Sequence, residues 1–254
     1  MISFTEAQLS AWLGAAFWPL VRVLALIAVA PVLSHRAVPL RVRLLLGITL
    51  TVLLVPVVPA PPLDVALTGA GFGLLVHNIL IGITLGFAVR LVFAALELAG
   101  ETIGLQMGLS FAGFFSPATG QAQNAVASFL SMLAVLMFVA IDGHLLLIHA
   151  LAESFRVFPI TGGGGMPLTL AVLSGLAAEM FAIALTIALP FLAVMLLVNI
   201  VLGVLARVAP QLNIFAVGFP LTILVGLAVL FLLLPYVQQP LVAALERSVS
   251  VLTR

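Results

Sequence analysis

Long apolar runs, separated by short polar or proline-rich connections, make up most of this chain. Since about 20 consecutive apolar residues in a helix cross the hydrocarbon core of a bilayer, the runs predict about six helical crossings. They cover approximately residues 9–33, 44–58, 69–99, 125–151, 169–206 and 216–234. The pattern predicts an all-α, membrane-associated protein of about six hydrophobic helical segments arranged in hairpins.

Two of these runs contain prolines, which leave open whether a single helix continues through each run. The run over 169–206 is about twice a bilayer crossing and contains Pro190, so it forms either one long bent helix or two short ones. The last run is expected to end as a helix near Leu234 and to continue past Pro235 as a short tail.

One stretch, Gly100 to Asn124, interrupts the apolar pattern without becoming an ordinary loop. After Glu101 it carries no charge, and glycines, Pro117 and small polar residues alternate with methionine and phenylalanine. It is too apolar for a solvated loop and too broken to cross lipid as a helix. Irregular backbone at membrane depth needs protein or a water-filled cavity to satisfy its polar groups. We therefore predict a neutral, deformable plug over about residues 104–124 that lines or closes a passage; the alternative is an amphipathic re-entrant turn. The candidate plug residues are Gln106, Met107, Ser110, Phe111, Phe114, Phe115, Ser116 and Pro117.

Five charged residues lie in or beside the apolar runs and are interpreted as structural charges. Arg22 and Glu179 lie within runs, where an unpaired charge is costly, so each is expected to be paired inside a helical assembly. For Arg22 the alternative is a charge that faces a transported substrate. Arg90, Glu97 and Glu101 are spaced for one helix face and could anchor the plug through intersubunit ion pairs, or simply form a solvated helix end.

No catalytic, metal or cofactor site is predicted. His149 and Glu153 could share a helix face, but no third ligand converges with them, and a charge cluster at a helix end is the simpler interpretation. The glycine run Gly162–Gly165 cannot cradle a phosphate as a P-loop does, because the chain contains no lysine.

Composition agrees with a membrane location. The chain is 64% hydrophobic and 7% charged with a mean hydropathy of +1.39, which excludes a soluble globular domain. Its net charge of +1 gives no basic surface for nucleic acid. Arg36, Arg41 and Arg43 form the densest basic cluster, so we expect this connection to be cytoplasmic and the N-terminus outside. The start of the chain lacks a basic region, so no cleaved signal peptide is expected.

The glycine run also marks the clearest internal boundary. Four successive glycines followed by Pro167 predict a flexible joint. We therefore predict a multi-helix unit over residues 1–166, which includes the plug, and a helical hairpin over residues 167–254.

Two long motifs resemble the FliR family of flagellar biosynthesis proteins, a type III secretion export-gate family. They are GETIGLQMGLSFA (Gly100 to Ala112) with PATGQ (Pro117 to Gln121), and RVAPQLNIFAVGFPLTILVGL (Arg207 to Leu227). Family members commonly have an acidic residue where this chain has Ser116, which puts a charged closing contact at that position in doubt.

The resemblance implies a subunit of the flagellar export gate in the bacterial inner membrane, at the flagellar basal body. In this family the subunit joins FliP and FliQ in one helical multi-subunit assembly, FlhB associates with it, and unfolded flagellar proteins pass through. It implies a P-like unit fused to a Q-like hairpin, which agrees with the boundary at the glycine run. It also implies no enzyme activity and no cofactor. A virulence-type export gate is the alternative that shares this architecture.

Two other function classes fit less well. An intramembrane protease would use Ser110 as nucleophile with His144 or His149 as base, and Ser110→Ala would abolish a protease but leave a gate secreting. A small-molecule transporter with a broken helix at the midplane usually needs a charged or aromatic specificity group. The plug carries no charge, and the two halves of the chain show no inverted repeat.

Overall fold

The computed structural model describes residues 5–59, 61, 63–109, 124–161, 169–211 and 214–253. Within this part of the chain all regular structure is helical, which confirms the prediction of an all-α protein. The helices are α1 (Glu6–Val29), α2 (Leu40–Leu54), α3 (Gly69–Gln106), α4 (Ala125–Ala140), α5 (Gly143–Val157), α6 (Leu170–Val208) and α7 (Ile214–Thr253), with a 3₁₀ turn at Leu63–Leu67 before α3.

The run expected as one helix over 125–151 is two helices, α4 and α5, separated by a short break. The break falls at Ile141 and Asp142, and Asp142 adopts a left-handed backbone conformation with φ of 55°. Aspartate tolerates this conformation better than most residues because its short side chain can bond locally. The run was expected as one helix because apolar residues continue on both sides of the short polar sequence Asp142 to His144.

The prolines in the last two runs do not end their helices. α6 continues through Pro190, so the run over 169–206 forms one long helix and not two short ones. The expectation that the last helix ends near Leu234 is wrong, because α7 continues through Pro220, Pro235 and Pro240. A proline removes one backbone hydrogen bond, but leucine- and alanine-rich flanks and apolar surroundings favour continuation of the helix.

Within the described residues, four helices are long and apolar enough to cross a membrane, and the pair of α4 and α5 makes five if it counts as one span. This is fewer than the six crossings expected. α2 explains the difference, since its 15 residues extend only about 22 Å, against a hydrocarbon core of about 30 Å.

The chain forms two compact units. The first contains residues up to Leu91, Asp142–Leu176 and Leu245 onward, and its buried residues include Trp18, Leu26, Ile81 and Leu151. The second contains Val92–Ile141 and Ala177–Ala244, with Ile103, Leu130, Phe191 and Met195 among its buried residues. The boundary predicted at residues 166 and 167 lies outside the described residues, together with the glycine run, and stays a prediction.

Candidate functional site

Arg22 is fully buried in the first unit, and five hydrogen bonds hold its guanidinium group. Its Nε and Nη2 donate to Asn78 Oδ1 over 3.0 and 2.7 Å. Its Nη1 donates to the carbonyl oxygen and Oγ of Ser154 over 2.8 and 3.1 Å, and Nη2 also donates to the Phe158 carbonyl over 2.8 Å. A guanidinium has five N–H donors, so every donor of this buried charge has an acceptor.

The acceptors around Arg22 are neutral, and two of them are carbonyls at the C-terminal end of α5. That end of a helix carries a partial negative charge, so it compensates a cation without a carboxylate. The ring of Phe155 adds a cation–π contact, with its centroid 4.1 Å from Arg22 Cζ. Among the described residues, neutral oxygens thus take the place of the ion pair expected for Arg22.

Close packing of α1 against α3 brings Asn78 to Arg22. A Cβ on Gly82 would collide with the Arg22 carbonyl oxygen, and one on Gly86 would lie 2.9 Å from Leu26 O. Only glycine therefore permits this approach of the two backbones. The Asn78 amide donates to the Leu74 carbonyl over 2.8 Å, which turns its oxygen toward Arg22.

The predicted plug begins where α3 ends, and that end is built by Gly108. Gly108 has φ of 80°, Leu109 N donates to Gly104 O over 3.0 Å and Gly108 N donates to Leu105 O over 3.0 Å. These two bonds and the left-handed glycine form a Schellman C-cap. The helix thus extends about seven residues beyond the run that hydropathy assigned to it.

Gly100 and Gly104, interpreted from the sequence as part of the broken stretch, lie inside α3. A Cβ on Gly100 would approach the Ala127 backbone, and one on Gly104 would collide with the Asn124 side chain. Both glycines are therefore contact positions that let the start of α4 pack on α3.

Glu101 ties the last turns of α3 to the first turn of α4. Its Oε1 accepts from Asn124 N over 3.2 Å and its Oε2 accepts from Asn124 Nδ2 over 2.7 Å. Asn124 in turn caps α4, since its Oδ1 accepts from Ala127 N over 2.9 Å. The described residues at the two ends of the predicted plug are thus joined by hydrogen bonds within this chain. The sequence had left open whether Glu101 forms an intersubunit ion pair or lies at a solvated helix end.

The same end of α3 contacts the other two helices of the second unit. Gln106 is exposed, and its Oε1 accepts from Asn199 Nδ2 on α6 over 3.4 Å. Met107 is fully buried; its carbonyl accepts from Thr222 Oγ1 on α7 over 3.3 Å, and its side chain packs on Gly226.

The remaining predicted site residues fall into two groups. Arg90 is exposed, whereas Glu97 and Glu179 are half-buried. The rest of the plug lies outside the described residues, namely Ser110, Phe111, Phe114, Phe115, Ser116 and Pro117. Sequence reasoning missed Asn78, Thr222 and Gly226 as partners of the site. It had the signal for Asn124, because an asparagine before an apolar run is a typical helix N-cap.

Charged side chains form one close pair at each end of α5. Glu153 pairs with Arg156 over 3.5 Å, and Asp142 lies 4.0 Å from His144. Over the described ranges, no three histidine, cysteine, aspartate or glutamate side chains come together as a metal site would require.

Comparison with known proteins shows a match along nearly the whole chain. The family described as bacterial export proteins, family 1, matches residues 13–248. The flagellar biosynthetic protein FliR of Pectobacterium carotovorum subsp. carotovorum is 45% identical over 237 residues, which cover 93% of this chain and 90% of that protein. FliR of Escherichia coli (strain K12) is 44% identical over 240 residues, covering 93% and 90%. FliR of Bacillus subtilis (strain 168) is 31% identical over 216 residues, covering 83% and 82%.

Proposed function

The chain belongs to family 1 of the bacterial export proteins and is a flagellar biosynthesis export protein, and on this premise we propose that it forms and plugs the channel of the flagellar type III export gate. The observation that carries the proposal is the anchored, uncharged stretch between α3 and α4. Its ends are joined by Glu101 and Asn124, and no charged residue occurs from 102 to 123.

The proposed seal is apolar. Uncharged apolar side chains in a narrow constriction expel water, and a dewetted constriction blocks ions without a charged ring. Phe111, Phe114 and Phe115 supply these side chains. Met107 was predicted as a fourth, but because it is buried against α7 it serves in this proposal as the anchor of the segment.

In the assembled gate, FliP and FliQ are the proposed partners in the helical assembly, with FlhB associated and unfolded flagellar proteins in transit. The proposed location is the bacterial inner membrane at the flagellar basal body. Exposed large apolar side chains on α6 and α7, such as Leu197, Val201 and Phe231, support a surface that lipid or other subunits cover. The relatives are named as biosynthetic proteins of an export family, which supports a role as a channel component without catalysis.

Arg22 and the other predicted structural charges have no direct part in transport in this proposal. The donors of Arg22 are all used within its own unit. A substrate-facing charge would need a free donor to contact a passing chain.

Purification in mild detergent tests the assembly. We expect the chain to be recovered with FliP and FliQ, and a strain lacking it to regain secretion of flagellar substrates when it is supplied. Recovery of the chain alone, together with normal flagellar secretion in its absence, would contradict the proposal. Failure in a flagellar strain combined with rescue of a virulence secretion system would favour the alternative gate.

A further inference from the structure

The side chain of Met107 packs directly on Gly226 of α7, and the Gly226 position that receives it is called the socket below. A Cβ on Gly226 would lie 2.6 Å from Met107 Cγ, 2.8 Å from Cε and 2.9 Å from Sδ. Thr222, one turn earlier on the same face of α7, donates its hydroxyl to the Met107 carbonyl over 3.3 Å. Both the side chain and the backbone of Met107 are therefore held by α7.

Met107 is the last residue before the glycine that ends α3. Gly108 turns the chain out of the helix through its left-handed conformation, with φ of 80°. The direction in which the chain leaves α3 thus depends on where the backbone of Met107 is held. Since Met107 is fully buried, a shift of α7 at Gly226 has to move it or open a void.

We propose that Gly226 and Thr222 are positioning residues for the export gate: the socket on α7 sets the start of the plug and thereby the tightness of the closed state. This inference rests on the proposed gate function. In this proposal one side of α7 holds Met107, and the other side is an exposed apolar surface, with Leu224 exposed at 66% and Leu227 at 52%. A neighbouring subunit that packs on that exposed side would act on the plug through the socket.

The test inserts a wedge into the socket and measures ion leak per assembled gate. Gly226→Val places a branched side chain against Met107, whereas Gly203→Val makes the same substitution on α6, where a Cβ would meet nothing within 4 Å. Because overpacking destabilises the arrangement that it invades, we expect Gly226→Val to raise the leak about tenfold and Gly203→Val to leave it unchanged. Adding Met107→Ala to Gly226→Val should restore tightness, since it makes room for the wedge.

The following results would overturn either this inference or the proposed plug. A tight gate with Gly226→Val, or a leak that Met107→Ala does not relieve, overturns the inference. Deletion of Phe111–Gln121 serves as the reference: if that deletion leaks and Gly226→Val does not, the socket idea fails and the proposed function stands. If the deletion itself does not leak, the proposed plug fails. Should Gly226→Val not assemble, the smaller wedge Gly226→Ala replaces it, and a leak no higher than that of Gly203→Ala overturns the inference.

Discussion

Replacement of Arg22 by leucine tests the energetic role of the buried guanidinium. Two of its four acceptor atoms keep other partners in the variant: Ser154 O still accepts from Phe158 N over 2.9 Å, and Ser154 Oγ still donates to Leu151 O over 2.7 Å. Asn78 Oδ1 and Phe158 O lose the donors that the structure gives them. A buried acceptor left unsatisfied costs about 1–3 kcal/mol, which applies in full to Asn78 Oδ1. Because Phe158 is only half-buried, its carbonyl adds at most about 1 kcal/mol, and the expected loss is about 1–4 kcal/mol.

The loss is measured as a change in the melting temperature of the purified protein in detergent, and as the yield of complex recovered with its partners. For a chain of this size, a loss of 2 kcal/mol or more lowers Tm by at least about 4 °C. The matched control is Arg90→Leu, which removes an exposed arginine from the same unit and should change stability by no more than about 0.5 kcal/mol. Arg22→Lys should rescue little, because an ammonium cannot reproduce the planar fork of donors.

Two results would refute this reasoning. Equal melting temperatures and yields for Arg22→Leu and Arg90→Leu would show that the hydrogen bonds around Arg22 contribute nothing measurable. Normal assembly combined with abolished export would instead assign Arg22 to the path of the substrate.

Three further substitutions or cuts test other parts of the account. Glu101→Ala should lower stability by about 1.5–3 kcal/mol, because the carboxylate accepts two bonds from Asn124, and a melting temperature equal to that of the wild type would contradict this. Gly86→Val should prevent close packing of α1 on α3 and reduce the yield of folded protein, whereas Gly73→Val, with open space above it, should not; equal yields would show that the packing is not tight. A chain expressed as residues 1–163 and 164–254 should reassemble into a secreting gate with FliP and FliQ, because helix packing and not the covalent joint holds the parts together; two stable halves never recovered in one complex would refute this.

The type of secondary structure was predictable from the sequence, because apolar runs of about 20 residues leave little alternative to helices in a membrane. The ends of the helices were not. A sequence does not distinguish a glycine that ends a helix from a glycine that allows close packing of a neighbouring helix. Gly108 ends α3, whereas Gly104 lies within α3 and packs against Asn124. The helical run is likewise interrupted at Asp142 and Gly143, an Asp-Gly pair typical of turns that the long apolar pattern on both sides outweighed.

The partners of the candidate site depend on contacts between residues far apart in the chain. Arg22 was identified from its position in an apolar run, but its acceptors lie 56, 132 and 136 residues away. A sequence pattern shows that a buried charge needs compensation, and it does not show which atoms provide it. The sequence singled out Glu101 as a charge at the start of the broken stretch, but its contact with Asn124 follows from how α4 packs on α3.

Whether this chain seals the gate is tested by the ion conductance of membranes that hold the assembled gate without Phe111–Gln121. We expect the gate still to assemble with its partners and cells to become leaky to small ions and dyes, because the apolar constriction is gone. The leak should disappear when FliP is absent, since the passage then cannot form. An assembled gate whose conductance is unchanged by the deletion would show that these residues do not form the seal and would place it in another subunit.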